Sequence, residues 1–142
     1  IIGCTSKPQT SDLEKGMKST IDVQYKSIPD NQFMPITMPL FDVQTANKTN
    51  GKENSKNSYQ IQFEGQVKSK QKMYLYMENI GVETVATIHL KPAPGVQLTD
   101  FKEGEHSYKG NADFELTEKG WQMTSCLMTI PEIPGQAFSC KK

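Results

Sequence analysis

Two histidines, His89 and His106, are the side chains best suited to acid–base or metal chemistry in this 142-residue chain. His89 lies between Ile88 and Leu90, on the polar face of a predicted strand, and His106 begins another strand. Both are therefore predicted to be surface residues. The sequence contains no HExxH zinc motif, no G-x-S-x-G nucleophile motif and no glycine-rich phosphate loop. We predict that the protein is not an enzyme and holds no metal or cofactor.

Carboxylates and methionines are the other candidates for chemistry. A pair of carboxylates at a suitable distance could hydrolyse a glycosidic bond, but those between residues 103 and 118 alternate with apolar residues, as solvent-facing strand positions do. Thioether sulfurs bind Cu(I), and Met73 and Met77 are four residues apart. On a strand this spacing separates the two side chains by about 13 Å, too far for one metal ion. We interpret the methionines as core residues.

The sequence begins Ile1-Ile2-Gly3-Cys4, an apolar triplet that ends in cysteine, and polar residues 5–10 follow. This pattern resembles the lipobox of bacterial lipoproteins, in which Cys4 would be the lipidated residue. The resemblance implies a lipid anchor at a membrane. Thr5 follows the cysteine where an aspartate would signal inner-membrane retention, which implies the periplasmic face of the outer membrane. A buried strand with a free thiol is the alternative.

Three cysteines, Cys4, Cys126 and Cys140, would leave one unpaired thiol in an exported protein. If Cys4 carries lipid, Cys126 and Cys140 remain as a pair and are predicted to form a disulfide. In the chain-entropy model a bridge of this length contributes roughly 3 kcal/mol. A metal site is the alternative, but the spacing is not CxxC and no histidine is near.

Charge is balanced, with 16 basic residues, all lysine, and 16 acidic residues. Arginine makes the bidentate contacts to phosphate and guanine, so its absence and the zero net charge argue against nucleic-acid binding. No apolar run approaches the ~20 residues that span a bilayer. The length suits one domain. We predict a lipobox remnant and tether in residues 1–10 and a single domain in residues 11–142.

A helix is predicted at the start of this domain. Ser11 and Glu14 have the spacing of a capping box. The apolar residues that follow recur every four positions, as on one face of a helix: Leu13, Met17, Ile21 and Tyr25. Residues 45–58 contain no bulky apolar residue and are predicted to be a mobile polar loop.

From Tyr59 the sequence alternates between apolar and polar residues, which predicts strands. Opposing Val67 and Met73 gives one hairpin with its apolar residues on one face. A second hairpin turns at residues 117–120, with three predicted pairs: Leu116 with Trp121, Phe114 with Met123, and Ala112 with Ser125.

These elements predict an α+β fold, in which one N-terminal helix packs on a curved antiparallel sheet of five to six strands. A β-sandwich with a helical lead-in is the alternative. The order of helix, polar loop and hairpins resembles small bacterial lipoproteins of the cystatin-like or nuclear transport factor 2-like type, whose curved sheet wraps a helix. Such a sheet often encloses an apolar pocket, here lined by Phe63, Leu75, Phe114, Trp121 and Met123.

The anchor, the short tether and the absence of catalytic clusters predict a periplasmic lipoprotein that acts as a protein-binding or envelope-assembly module. Its expected partners are the membrane, through lipid on Cys4, and another envelope protein. Two alternatives remain: a carrier of a small apolar ligand, and an inhibitor or immunity lipoprotein. A pocket of several hundred Å³ would favour the carrier, and a filled core would favour the binding module.

Overall fold

The computed structural model describes the backbone of residues 7–27 and 34–142. Strands hold 65% of the residues that the structure describes and helix only 6%, so the predicted α+β fold of one helix on five to six strands is wrong. Helix α1 is Thr10–Gly16. Ten strands follow: β1 (Thr20–Ser27), β2 (Met34–Val43), β3 (Asn47–Ser55), β4 (Ser58–Ser69), β5 (Met73–Ile80), β6 (Glu83–His89), β7 (Thr99–Phe101), β8 (Gly104–Thr117), β9 (Gly120–Thr129) and β10 (Phe138–Ser139).

The ten strands form one hydrogen-bonded sheet in the order β10-β9-β8-β4-β2-β1-β6-β5-β7, with β3 paired to β4. Neighbouring strands are antiparallel except β1 and β6, which are parallel and join at a single pair, Lys26 and His89.

The residues predicted to form one long helix form α1 and then β1. A spacing of four fits a helix, but it is also an even number and so fits the period of two of a strand. In β1 the apolar residues Ile21, Val23 and Tyr25 alternate strictly with polar ones. Ile21 and Val23 are β-branched and buried, which favours a strand. Helix α1 starts two residues earlier than predicted, with Gln9 rather than Ser11 as its N-cap, and the Gln9 N–H donates to the Asp12 carboxylate at 2.8 Å.

The polar segment 45–58 was predicted to be a mobile loop, and the structure contradicts this because the segment contains β3. This strand pairs with β4 from Asn47 opposite Glu64 to Ser55 opposite Ser58. Its side chains are nearly all exposed. A polar composition prevents burial, but it does not prevent pairing, because the hydrogen bonds of a ladder use backbone groups.

The hairpin of β8 and β9 is confirmed, and it turns at Gly120, whose φ is 95°. Two of the predicted pairs are present, Leu116 with Trp121 and Phe114 with Met123. A bulge after Asp113 shifts the third pair by one residue, so Ala112 faces Cys126.

The predicted hairpin of β4 and β5 is wrong. Strand β4 pairs with β8, β3 and β2, so Val67 faces His106 rather than Met73. Strand β5 pairs with β6 and β7. Phe63, Val67 and Leu75 are nevertheless buried as expected. Alternation determines which face of a strand is buried, but it does not determine which strand is its neighbour.

The predicted disulfide is confirmed: Cys126 and Cys140 are bridged, with a Cα–Cα distance of 4.9 Å. The sheet curves until β1 contacts β10. Near this contact, residues 16–18 meet residues 140–142, and we call this junction the seam. Here the Lys18 N–H donates to the Cys140 carbonyl at 2.9 Å, and the Lys142 N–H donates to the Gly16 carbonyl at 2.8 Å.

Candidate functional site

The five residues predicted to line an apolar pocket lie in the core or at its border. Phe63, Leu75 and Phe114 are buried. Trp121 and Met123 border a small cavity of about 160 Å³ beside α1, whose other lining residues are mainly charged or polar. The cavities mapped on the described part of the chain bring together only these two of the five.

His89 was predicted to be a surface residue, and this is wrong, because only 5% of it is exposed. Its ring packs edge-on against Tyr76, with centroids 6.5 Å apart. Its buried Nδ1 atom has no hydrogen-bond partner. Burial, and secondly the Lys26 ammonium, lower the pKa of His89 below its usual value. The imidazole is therefore held in its neutral form.

His106 lies at the border of the core rather than free on the surface. It stacks on Phe101 with centroids 4.0 Å apart. Its Nε2 is 2.7 Å from the Lys102 carbonyl and its Nδ1 is 3.4 Å from Glu132. Over residues 7–27 and 34–142, no cluster of three or more histidine, cysteine, aspartate or glutamate side chains is arranged to hold a metal ion.

The predicted lipidation site, Cys4, lies outside the described residues. The described segment nearest to it starts at Lys7, three residues further on. Within the described segments, no helix has the length and apolar character needed to cross a membrane.

A groove of about 310 Å³ lies where β1 diverges from β6 and from β10. Asp22, Gln24 and Lys26 line one side, and Thr87, Gln136 and Ser139 line the others. Ligand pockets for apolar molecules are lined mainly by hydrophobic side chains. Apolar side chains, among them Tyr25, Ile88 and Phe138, line this open groove together with the polar ones, so its lining is mixed rather than mainly hydrophobic.

The most unusual surface is the end of the β5–β6 hairpin. Every side chain in residues 76–84 is exposed, and we call this segment the finger. Three of its residues are large and apolar: Met77 is 39% exposed, Ile80 62% and Val82 104%. The turn is a two-residue loop between Ile80 and Glu83. Gly81, with φ of 64°, supplies the positive φ that such a turn needs.

The finger is also acidic. Between Met73 and Leu90 the sequence has two carboxylates, Glu78 and Glu83, and no lysine. Ile80 pairs with Glu83, and Glu78 lies two residues before Ile80, so all three side chains are on one face. The two carboxylates are diagonal neighbours, about 7–8 Å apart by their register. Neither makes an ion pair with the described residues.

The base of the finger is fixed to the C-terminal segment. The Ala86 N–H donates to the Pro134 carbonyl at 2.8 Å, and the Gln136 side chain donates to the Ala86 carbonyl at 2.8 Å. Gly135 lies directly against Val85, since a Cβ at this glycine would be 2.9 Å from the Val85 Cα. We call these contacts the brace. They hold the edge of β6 that does not pair with β5.

The fold and this surface define a sheet-rich protein with a projecting, braced hairpin. No protein-family model matches the chain, and the comparisons with curated proteins and with solved structures gave no significant match.

Sequence reasoning did not single out the finger. Ile80-Gly81-Val82 is a sequence signal that could have found it, because turns that serve only to connect strands are usually polar. Large apolar residues on both sides of a turn glycine instead indicate a loop that contacts something outside its own core.

Proposed function

We propose that this protein is a non-enzymatic protein-binding module, anchored by lipid on Cys4 at the periplasmic face of the outer membrane. Its partner is another protein of the cell envelope. The observation that supports the binding role is the finger, whose apolar tip projects from a sheet that has buried most of its other large apolar residues.

Exposed apolar side chains are common singly, but a cluster at the end of a projecting hairpin suits a contact site. Fully burying Ile80 or Val82 against a partner contributes about 1.5–3 kcal/mol each. The brace fixes the base of the finger before binding, so little conformational entropy is lost when the complex forms. A few anchoring side chains of this kind carry most of the energy of an interface.

The proposed anchor suits this role geometrically. Lys7 lies three positions after Cys4, and an extended chain of that length reaches about 10 Å. A lipid on Cys4 would therefore keep the domain close to the bilayer surface. The tether then restricts the search for a partner to that surface and raises the effective concentration of the finger there.

No observation favours the apolar-ligand carrier, since the described cavities do not join the five predicted lining residues. An inhibitor lipoprotein remains an alternative, because a projecting hairpin also suits insertion into the cleft of an enzyme. The identity of the bound partner distinguishes an inhibitor from an assembly module.

The test is photo-crosslinking in native membranes, with a photoreactive residue at the exposed finger position Asn79. We expect an adduct with one envelope protein, and we expect Ile80→Ser/Val82→Ser to reduce its yield about tenfold or more, because the apolar anchors are lost. Leu127→Ser is the matched control, since Leu127 is 52% exposed on β9 and lies outside the finger.

A photoreactive residue at Asn111, exposed on β8, controls for random collisions. An adduct that is the same from both positions and unaffected by the finger variant would reject the proposed function. The Cys4→Ser chain in the same membranes tests the anchor, and unchanged fractionation with the membrane would reject lipidation at Cys4.

A further inference from the structure

We propose that the finger enters a concave, apolar pocket of its partner protein whose rim carries lysine or arginine residues. This inference rests on the proposed function and adds the chemistry of the partner's site. The finger combines an apolar tip with two carboxylates on one face, and the pocket that receives it must complement both.

Charge is the first argument. All 16 lysines of the chain lie outside the β5–β6 hairpin, so the finger is acidic in a protein whose net charge is zero. Like charges at diagonal positions of a hairpin repel each other, although weakly where both are exposed to water. Glu78 and Glu83 keep this arrangement without a cation among the described residues. Cationic side chains of a partner would relieve the repulsion and fix the register of the contact.

Shape is the second argument. Two paired strands about 4.8 Å apart form a narrow projection, and its large apolar side chains point away from both sides and from the tip. A flat surface can cover only one side of such a projection. A concave pocket covers Ile80 and Val82 together. Glu83 pairs with Ile80, and Glu78 lies closer to the base of the finger, so the two carboxylates face one side of the pocket between its wall and its rim.

The same charges argue against the bilayer as the occupant. Segments that insert into membrane interfaces carry lysine or arginine on their polar face, and anionic lipids attract them. The finger carries carboxylates instead, which anionic lipids repel. A protein pocket is therefore the occupant that the finger favours.

The experiment uses the full chain with the photoreactive residue at Asn79, in native membranes at low and high salt. We expect Glu78→Lys/Glu83→Lys to reduce the adduct yield about tenfold at low salt, and we expect salt to reduce the wild-type yield in the same direction. Glu115→Lys is the matched control, because Glu115 is an exposed acid on β8. Mass spectrometry of the adduct should place the crosslink in an apolar site bordered by lysine or arginine.

A second arm measures binding of the Cys4→Ser chain to vesicles of phosphatidylethanolamine and phosphatidylglycerol. The Cys4→Ser chain with an otherwise unchanged finger is expected not to bind these vesicles. Vesicle binding that depends on Ile80 and Val82 would overturn the inference in favour of the bilayer.

The outcomes separate the two proposals. An adduct that is lost with Ile80→Ser/Val82→Ser but unaffected by charge reversal and by salt overturns the basic rim and leaves the proposed function in place. An adduct that neither double variant affects overturns both. Reversing the charge of the partner's crosslinked lysine or arginine should restore the yield of Glu78→Lys/Glu83→Lys, and failure of this rescue would also overturn the basic rim.

Discussion

At the scale of single residues, His89 is a buried side chain that has one ring nitrogen without a hydrogen-bond partner among the described residues. Its Nδ1 is buried and unpaired, and burial lowers its pKa. An unpaired buried polar atom costs stability, typically about 1–3 kcal/mol. Tyr108 shows the usual solution: burial raises its pKa to about 12, and its hydroxyl donates to the Thr45 carbonyl at 2.7 Å.

The lowered pKa of His89 predicts how stability depends on pH. The unfolded chain takes up a proton at the usual histidine pKa of about 6.5, whereas the folded chain does so only at lower pH. Protonation therefore favours unfolding, and stability falls as pH decreases from about 6.5 through the folded-state pKa. Urea unfolding at pH 7.5 and at pH 5 should show that His89→Phe loses less stability than wild type over this interval.

The comparison between the two proteins isolates His89, because they differ at that residue alone. Parallel losses in wild type and His89→Phe would contradict the lowered pKa.

At the scale of elements, the brace fixes the orientation of the finger. Gly135 and Gly95 both have φ of 77°, but only Gly135 lies against a neighbouring strand. Alanine at either position is strained by about 1–2 kcal/mol. Alanine at Gly135 must also displace Val85, which adds about 1–3 kcal/mol.

We therefore expect Gly135→Ala to lower the unfolding free energy more than Gly95→Ala does. Gly135→Ala should also speed hydrogen exchange at the Ala86 amide, which bonds to the Pro134 carbonyl. The measurements are urea unfolding and amide exchange. Equal effects of the two substitutions would show that the brace does not hold β6.

Local signals were enough to predict some elements. The β8–β9 hairpin follows from the turn at Gly120 and the alternation on both sides of it. The disulfide was predicted by setting Cys4 aside as the lipidated residue; the Cys126–Cys140 bridge is confirmed, and lipidation of Cys4 stays a prediction. The face that each strand buries follows from alternation, as Phe63 and Leu75 show.

Pairing between distant strands was not predictable in the same way. The sequence of β4 does not indicate that β8 is its neighbour, because alternation carries no information about which strands pair. Strand β3 was missed because backbone pairing needs no apolar side chain. The finger was missed because Val82 continues the alternation of the strand that follows it, as a core residue would, and only the apolar residues on both sides of Gly81 indicate otherwise.

At the scale of the whole molecule, the disulfide and the seam act together. Cys140 is bridged to Cys126 on β9, and its carbonyl accepts from the Lys18 N–H. The disulfide thus holds Cys140, directly after β10, in place to accept the hydrogen bond from Lys18. In the chain-entropy model, a bridge closing a loop of this length stabilises by about 3 kcal/mol.

We expect Cys126→Ser/Cys140→Ser to lose about this much stability. The hydrogen-exchange rates of the Lys18 and Lys142 amides should increase more than that of the Asn111 amide. Asn111 lies between β4 and β9 and does not depend on the seam. Chemical denaturation and amide exchange of the two proteins provide the measurement. Uniform acceleration across the sheet would contradict a local role for the bridge.

The seam also has a consequence for folding kinetics. Met17 and Lys141, which form its bridge, lie near opposite ends of the described chain. Contacts of such large sequence separation slow folding, because the loop between them must close first. While the chain is being synthesised, residues 16–18 cannot pair until residues 140–142 have been made. We expect closure of the seam to be a late step, so until then the backbone groups of residues 16–18 are open to pairing with other chains.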